Sequence, residues 1–328
     1  NVQTITLGNS STDAVQKTIE RLFTIDSTDS SSIESAYPIY DIETFNRAMT
    51  ETGHWILMVD LDLTSEYSET AFTGFTPNFL SLNGNNHTIT VPMLSKTATS
   101  GEDNVGFFKS LSEKQIVKNL KITYAVNVYK ENENETVNEF DVEGLSTLNF
   151  GFFVGKNNGS IYNCDVMFGT KNFEYTQNSK YNVKVNFINT SSITMNVGGF
   201  AGVNETESYI SNSYVNYNGE FKYTNNETRV YELNNYHINL LLNVGTTSTI
   251  AGFVVNNNGK SSKNAVYNIE IESQDDESVV SGFVVENQGE ISECLVDNSY
   301  LGKQITDKYT EDKEDKDKIT FEDKLNIS

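Results

Sequence analysis

The sequence predicts an all-β fold: a right-handed parallel β-helix (solenoid) with an N-terminal helical cap and lateral β-hairpin excursions. Three observations carry this prediction. A strand–turn–strand pattern recurs along the chain, its inward positions hold similar side chains in each copy, and glycine and asparagine fall where a helix would need its interior. The copies read GFFKSLSEKQIVKNLKI (106–122), GFFVGKNNGSIYNCDV (151–166), GFAGVNETESYISNSYV (199–215), GFVVNNNGKSSKNAV (252–266) and GFVVENQGEISECLV (282–296).

Aligned on the aromatic that closes each GF or GFF, the copies stack Phe108, Phe153, Phe200, Phe253 and Phe283. Alternation puts Ser110, Gly155, Gly202, Val255 or Val285 on the same face two residues later. An Asn/Gly cluster follows, at Asn157-Asn158-Gly159, Asn256-Asn257-Asn258-Gly259 and Asn287-Gln288-Gly289, and reads as a turn because these residues tolerate positive φ. An apolar column comes next (Ile116, Ile161, Ile291), then a column of small or apolar residues (Leu120, Cys164, Ala265, Cys294), then Ile122, Val166 and Val215. No unit buries its own apolar face. Stacking at about 4.8 Å sets Phe on Phe and Ile on Ile, and parallel crossovers are right-handed. Cys164 and Cys294 share one column three units apart, at least about 14 Å of rise, so they are expected to be free, buried structural thiols.

The spacing of the phenylalanines is uneven: 45, 47 and 53 residues, then 30. A single coil needs about 20–30 residues, so the longer intervals hold additional chain. Residues 125–149, 170–196 and 219–249 are read as hairpin-bearing excursions on the flanks. YNVKVNF (181–187) alternates as a strand, and FKYTNNETRVYEL (221–233) reads as a hairpin around Asn225-Asn226.

Upstream, SSTDAVQKTIERLF (10–23) has helical spacing, with Ser10 or Ser11 as candidate cap, and DSTDSSSIES (26–35) reads as a linker. A second helix is expected over 41–49 with Asp41 as N-cap, and it is the candidate to close the solenoid's first end. The tail 307–328 is almost all alternating charge and reads as a solvated linker or stalk, with ITFED (319–323) able to add a strand or begin another domain. The division is thus 1–36 helix and linker, 37–303 solenoid body, and 304–328 charged tail. The chain begins at Asn1 without Met, as a processed product or a fragment would.

Composition excludes several classes. A formal charge of −22 and a pI near 4.4 argue against nucleic acid, whose phosphates would find nothing to neutralise them, and against anionic membranes. No apolar run reaches the length of a membrane span, so no membrane insertion is expected. Asn-x-Ser/Thr occurs at Asn9, Asn86, Asn134, Asn158, Asn189, Asn204, Asn226 and Asn326, about as often as chance gives in a chain this rich in Asn, Ser and Thr.

The order of pieces resembles the GLUG-motif β-helix proteins. VDLDL (59–63), LNGNNHTITV (82–91) and GFFVGKNNGSIYNCDV (151–166) match, and the resemblance covers roughly 41–300. The long insertions depart from that family's compact spacing. Such repeats occur in prokaryotic surface proteins described as adhesin-like and beside the catalytic part of some secreted metallopeptidases. The resemblance therefore implies an extracellular or cell-surface scaffold, gives the DLDL run a structural role, and makes His87 a turn-stabilising residue.

Chemistry is sparse. Arg21, Arg47 and Arg229 are the only arginines, and the first two lie in the expected N-terminal helices, leaving Arg229 alone among the repeats, where a polysaccharide lyase would need an Arg or Lys as base. A glycosidase needs two convergent carboxylates, which sequence alone does not single out. Asp60 and Asp62 share one strand face and read as structural before calcium-binding or catalytic. His54 and His237 have no partner at ligand spacing, there is no HExxH, and no catalytic residue, metal site or cofactor is assigned. Tyrosine is abundant, 17 in all. Tyr175, Tyr181, Tyr217, Tyr223, Tyr231 and Tyr236 lie in the excursions as stacking platforms for sugars or contacts for a protein, against a plainer role as strand residues covering the flank. Of these, Tyr217, Tyr223, Tyr231 and Tyr236 are the binding candidates. The expected function is a non-enzymatic display module whose partner is a glycan, a protein or neighbouring copies of itself. The alternatives are a carbohydrate-active enzyme on the same scaffold, or a structural spacer or filament subunit.

Overall fold

The computed structural model describes residues 23–26, 33–67, 72–95, 101–131, 133–169, 180–190, 193–216, 219–225, 228–233, 237–273 and 275–297. Five sheets stack strands from successive coils, and a sixth, two-stranded sheet is a hairpin. Each coil visits the five in the same order. The first face takes Leu145–Gly151, Thr194–Gly198, Ser248–Ala251 and Val279–Ser281, and the second takes Val154–Asn157, Ala201–Asn204, Val254–Asn257 and Val284–Asn287. The third takes Ser160–Tyr162, Tyr209–Ser211, Lys260–Ser262 and Glu290–Ser292. The fourth takes Asp165–Gly169, Tyr214–Val215, Ala265–Tyr267 and Leu295–Asp297. The fifth takes Val137–Asp141, Lys180–Ile188, His237–Val244 and Ile269–Ser273. Pairing between coils is parallel on every face, so the body is a parallel β-helix.

The phenylalanine column is present from Phe153 onward as the repeats predict. Phe153, Phe200 and Phe253 are fully buried and Phe283 nearly so. Their rings stack at 4.8, 4.8 and 4.9 Å with planes 4°, 16° and 2° apart. In the first copy the register is one residue out from the alignment: Phe108 lies opposite Val154, not Phe153, and Ser110 opposite Lys156, not Gly155, so the Phe108 ring meets Phe153 only edge-on at 5.7 Å. Parallel stacking follows from rung spacing: copies of one rotamer displaced by one rung come to lie face over face. The glycine of the GF pair is needed at this corner, since a Cβ at Gly252 would run into the carbonyl oxygen of Gly282.

Two further columns differ from the sequence alignment by one residue. In the first copy Val117, not Ile116, lies opposite Ile161 and is buried, because the loop before it, 112–115, is longer than its counterpart 158–159, and a one-residue slip exchanges inside for outside. In the fourth copy Asn264, not Ala265, continues the column of Cys164 and Ser213. Its amide is buried yet satisfied: it accepts from Ser213 N at 2.9 Å and donates to Ile210 O and Ser261 Oγ, both at 2.9 Å. Cys164 and Cys294 are both free, as expected, with Cys164 buried and Cys294 half-buried.

The asparagines do more than make turns. Asn157, Asn204 and Asn257 are completely buried, and with Asn287 they form a ladder in which each Nδ2 donates to the next Oδ1 at 2.8 Å. A second ladder runs Asn196 to Asn149 to Asn104 at 2.8 and 3.0 Å. A third runs Asn212 to Asn163, Asn163 to Asn119 at 3.0 Å and Asn119 to Asn83 at 3.1 Å. Asn119, Asn163 and Asn212 have φ between 50° and 56°, so one residue type supplies both the left-handed corner and the bond between rungs.

The excursions are largely part of the solenoid. Residues 137–141, 180–188 and 237–244 were grouped with flanking hairpins but are the rungs of the fifth face, since their alternation suits a strand buried on one side. Among the described residues, the lateral additions that remain are the hairpin Gly219–Asn225/Thr228–Leu233 and the pair Tyr129–Lys130, antiparallel to Lys180–Ile188.

The first end is closed as expected by a helix, Ile42–Thr50. Asp41 caps it, accepting from Thr44 N at 2.8 Å while Thr44 Oγ1 accepts from Asp41 N at 3.1 Å. Phe45, Ala48 and Met49 bury its inner face. The linker assigned to 26–35 needs correction. Phe23–Asp26 pairs antiparallel with Ile33–Ile39, so Phe23 is in a strand, and that second strand crosses the 36/37 boundary. Backbone pairing at a sheet edge does not depend on apolar side chains, and a Ser-rich segment supplies it. The rest of the helix expected over 10–23 and the tail 304–328 lie outside the described residues.

Two stability predictions follow from the stacks. Phe200→Ala, in mid-pile, should cost about 3–5 kcal/mol in chemical denaturation, and Phe283→Ala, with a ring on one side only, should cost less. Asn204→Leu takes the acceptor from Asn157 and the donor from Asn257 and should cost about 1–3 kcal/mol, more than Asn196→Leu on the half-buried ladder.

Candidate functional site

The chain between the fourth and fifth faces varies in length from coil to coil. It runs from Ala125 to Val137, from Gly169 to Lys180 and from Val215 to His237, and in the last coil Asn268 alone bridges the two faces. Both flanking sheets are in continuous register, so these insertions leave and rejoin the rod at neighbouring rungs about 4.8 Å apart. They therefore accumulate along one edge.

The largest insertion carries the binding candidates. In its hairpin the register sets Tyr223 opposite Arg229 and Tyr231 opposite Phe221. Tyr217 and Tyr236 flank that hairpin and, like Tyr175, lie outside the described residues. Tyr181 is different: it is an inward rung of the fifth face, 2% exposed, and belongs to the core. At the same edge Tyr129 is half-buried. Burial first, then the charges of Glu135, Glu270 and Glu272, push its phenol above the usual tyrosine range. Glu135 also pairs with Lys184 at 2.6 Å.

A second tyrosine set escaped the sequence reasoning. Tyr162 and Tyr209 occupy outward positions on the third face, with ring centroids 5.3 Å apart, and the Tyr209 hydroxyl lies 2.9 Å from Ser262 Oγ. Around the asparagine corner Tyr214 donates to Asn212 Oδ1 at 2.8 Å and stands edge-on to Tyr267 at 6.0 Å. The signal was available: Tyr162 follows inward Ile161 and Tyr209 precedes inward Ile210, so alternation turns both outward.

The acidic and histidine candidates have structural partners. Asp60 Oδ1 accepts from Thr88 N at 2.8 Å and lies 3.1 Å from His87 Nδ1, tying the GNNHTI turn to the preceding coil. Asp62 Oδ1 accepts from Thr64 N at 3.1 Å and from Thr64 Oγ1 at 2.6 Å. His54 Nδ1 meets Ser81 Oγ at 2.9 Å. Arg47 pairs with Glu51 at 3.1 Å and sits 5.8 Å over the Trp55 ring. Among the described residues no three His, Cys, Asp or Glu side chains are grouped to hold a metal ion. The sequon at Asn204 is closed to modification in the folded protein, since that amide is fully buried in a ladder. Asn86, Asn134 and Asn189 are exposed.

No family model matches the chain, and no curated protein or solved structure is similar to it. The resemblance to GLUG-motif proteins rests on the motif residues themselves.

Asp60→Ala should lower the melting temperature by freeing the Thr88 amide, while Asp60→Asn, which keeps an acceptor oxygen, should retain most of it. Calcium or zinc should leave the wild-type melting temperature unchanged. A metal-induced rise lost in Asp60→Ala would make the aspartate a ligand instead.

Proposed function

We propose that this chain is a non-enzymatic, extracellular display module of the GLUG-like kind, a rod whose insertions meet a glycan or protein partner. The observation that supports it most is the collection of length variation at one corner. A surface built by insertion is free to differ in every coil, whereas the faces are held to the stacking pattern. The hairpin 219–233 is the longest such element and brings Tyr223, Tyr231, Phe221 and Arg229 into one short two-stranded unit. Aromatic and arginine side chains supply most contact energy at binding surfaces. The scarcity of arginine weighs against the lyase reading, and Asp60, Asp62, His54 and His87 already have structural partners.

Screening the protein on a glycan array and against candidate surface proteins tests this. Tyr223→Ala and Tyr231→Ala should each weaken the bound partner about tenfold or more while leaving the thermal transition in place. Binding untouched by both, or turnover of a polysaccharide panel, would overturn the assignment.

A further inference from the structure

The third face carries aromatic rings on its outer side. Tyr162, Ser211 and Ser262 share one outward column, and Ser160, Tyr209 and Lys260 share the other. Tyr162 and Tyr209 therefore meet on a diagonal, with ring centroids 5.3 Å apart and planes tilted by 37°. The Tyr209 hydroxyl reaches Ser262 Oγ at 2.9 Å, one rung further on, which holds its ring along the sheet. Past the corner held by Asn163 and Asn212, the Tyr214 hydroxyl is tied to Asn212 Oδ1 at 2.8 Å, and Tyr267 stands edge-on to it at 6.0 Å. All four tyrosines are half-buried. Rings anchored in this way lose little freedom when a ligand lies against them.

Charge selects the occupant. Charged residues make up 21% of the chain, yet 157–164 and 208–216 contain none. Charge returns toward the last coil as pairs, Lys260 with Glu290 at 3.3 Å and Lys263 with Glu293 at 3.9 Å. An acidic polymer would find no cation within these segments and a net charge of −22 around it, and a basic peptide would find no carboxylate within them. The surface alternates rings with serine hydroxyls and asparagine amides, so it is not a plain apolar patch. An uncharged sugar suits both parts: its C–H face lies on a ring, and its hydroxyls meet groups that donate and accept. Rungs repeat every ~4.8 Å, close to the advance of one hexose along a glycan, and the three rungs from Tyr162 to Ser262 span about 10 Å.

We propose that the third face binds an uncharged glycan, two or three sugars laid along the rod, stacked on Tyr162 and Tyr209 and hydrogen-bonded by Ser211, Ser262 and Asn163. This site is separate from the hairpin 219–233 and does not depend on what the hairpin meets.

Calorimetric titration of the full chain tests this, using uncharged hexasaccharides of glucose, galactose, mannose and N-acetylglucosamine, with a galacturonate hexamer as the acidic control. At least one uncharged oligosaccharide should bind. Tyr162→Ala and Tyr209→Ala should each weaken it about tenfold or more, Tyr209→Phe should keep most of it, and Tyr223→Ala and Tyr231→Ala should leave it unchanged. Where an alanine variant shifts the thermal transition, Ser211→Lys decides, since it keeps both rings and adds bulk and charge on the outer side, and it should show the same loss. Binding of none of the four, or equal binding by wild type and Ser211→Lys, overturns the proposal. Loss confined to the Tyr223 and Tyr231 variants gives the glycan to the hairpin and overturns it as well. So does tighter binding of the galacturonate hexamer, or self-association abolished by Ser211→Lys, which would give the face to a second copy.

Discussion

Register between coils is the constraint on which the rest of this molecule depends. Parallel pairing places each inward residue one rung from its counterpart, so a side chain packs chiefly against versions of itself. Phenylalanine satisfies this by stacking nearly parallel from Phe153 to Phe283. Asparagine satisfies it because a primary amide carries a donor and an acceptor and can bond to a copy above and a copy below. A carboxylate in the same row would meet only like charge. The row Cys164, Ser213, Asn264, Cys294 shows how far the rule bends: a polar residue enters the core where the adjacent backbone and Ser261 satisfy it.

The same constraint divides the surface. Faces are committed to repetition, inside and at their corners, where Asn119, Asn163 and Asn212 hold the left-handed turn. Lys263 and Glu293 take over that corner later in the rod, still with positive φ, and exchange the amide bond for an ion pair at 3.9 Å. The other passages change by a few residues at most, whereas the passage from the fourth face to the fifth varies widely in length. Stability and the proposed recognition would thus draw on different residues, which makes a binding element at that edge compatible with an unchanged core.

Much of this was legible in the residues. The phenylalanine pile, the free thiols and the Asp41-capped helix each follow from a local rule: a recurring Gly-Phe before a strand, a separation too large for a disulfide, and a capping side chain before an amphipathic run. The misreadings share a cause. Ile116 and Ala265 were placed in columns by counting residues from an anchor, and one residue gained or lost in a turn moves a side chain to the other face. The fifth face was hidden because its rungs are separated from the motif by insertions of unequal length. The amide ladders were missed because asparagine signals a turn in one sequence, whereas a ladder is a property of two rungs at once. Tyr162 and Tyr209 were passed over for tyrosines in the excursions, although alternation beside Ile161 and Ile210 pointed them outward.

The coil from Phe253 to Phe283 closes in 30 residues, with Asn268 alone at the variable corner. It is a complete unit carrying its own ring, amide and corner. Duplicating such a segment in the gene lengthens the rod by one step of about 4.8 Å without disturbing any neighbour, because each coil asks only for a like coil beside it. Reach and cargo are therefore separately heritable: the first changes by copying whole turns, the second by exchanging what is spliced between two faces.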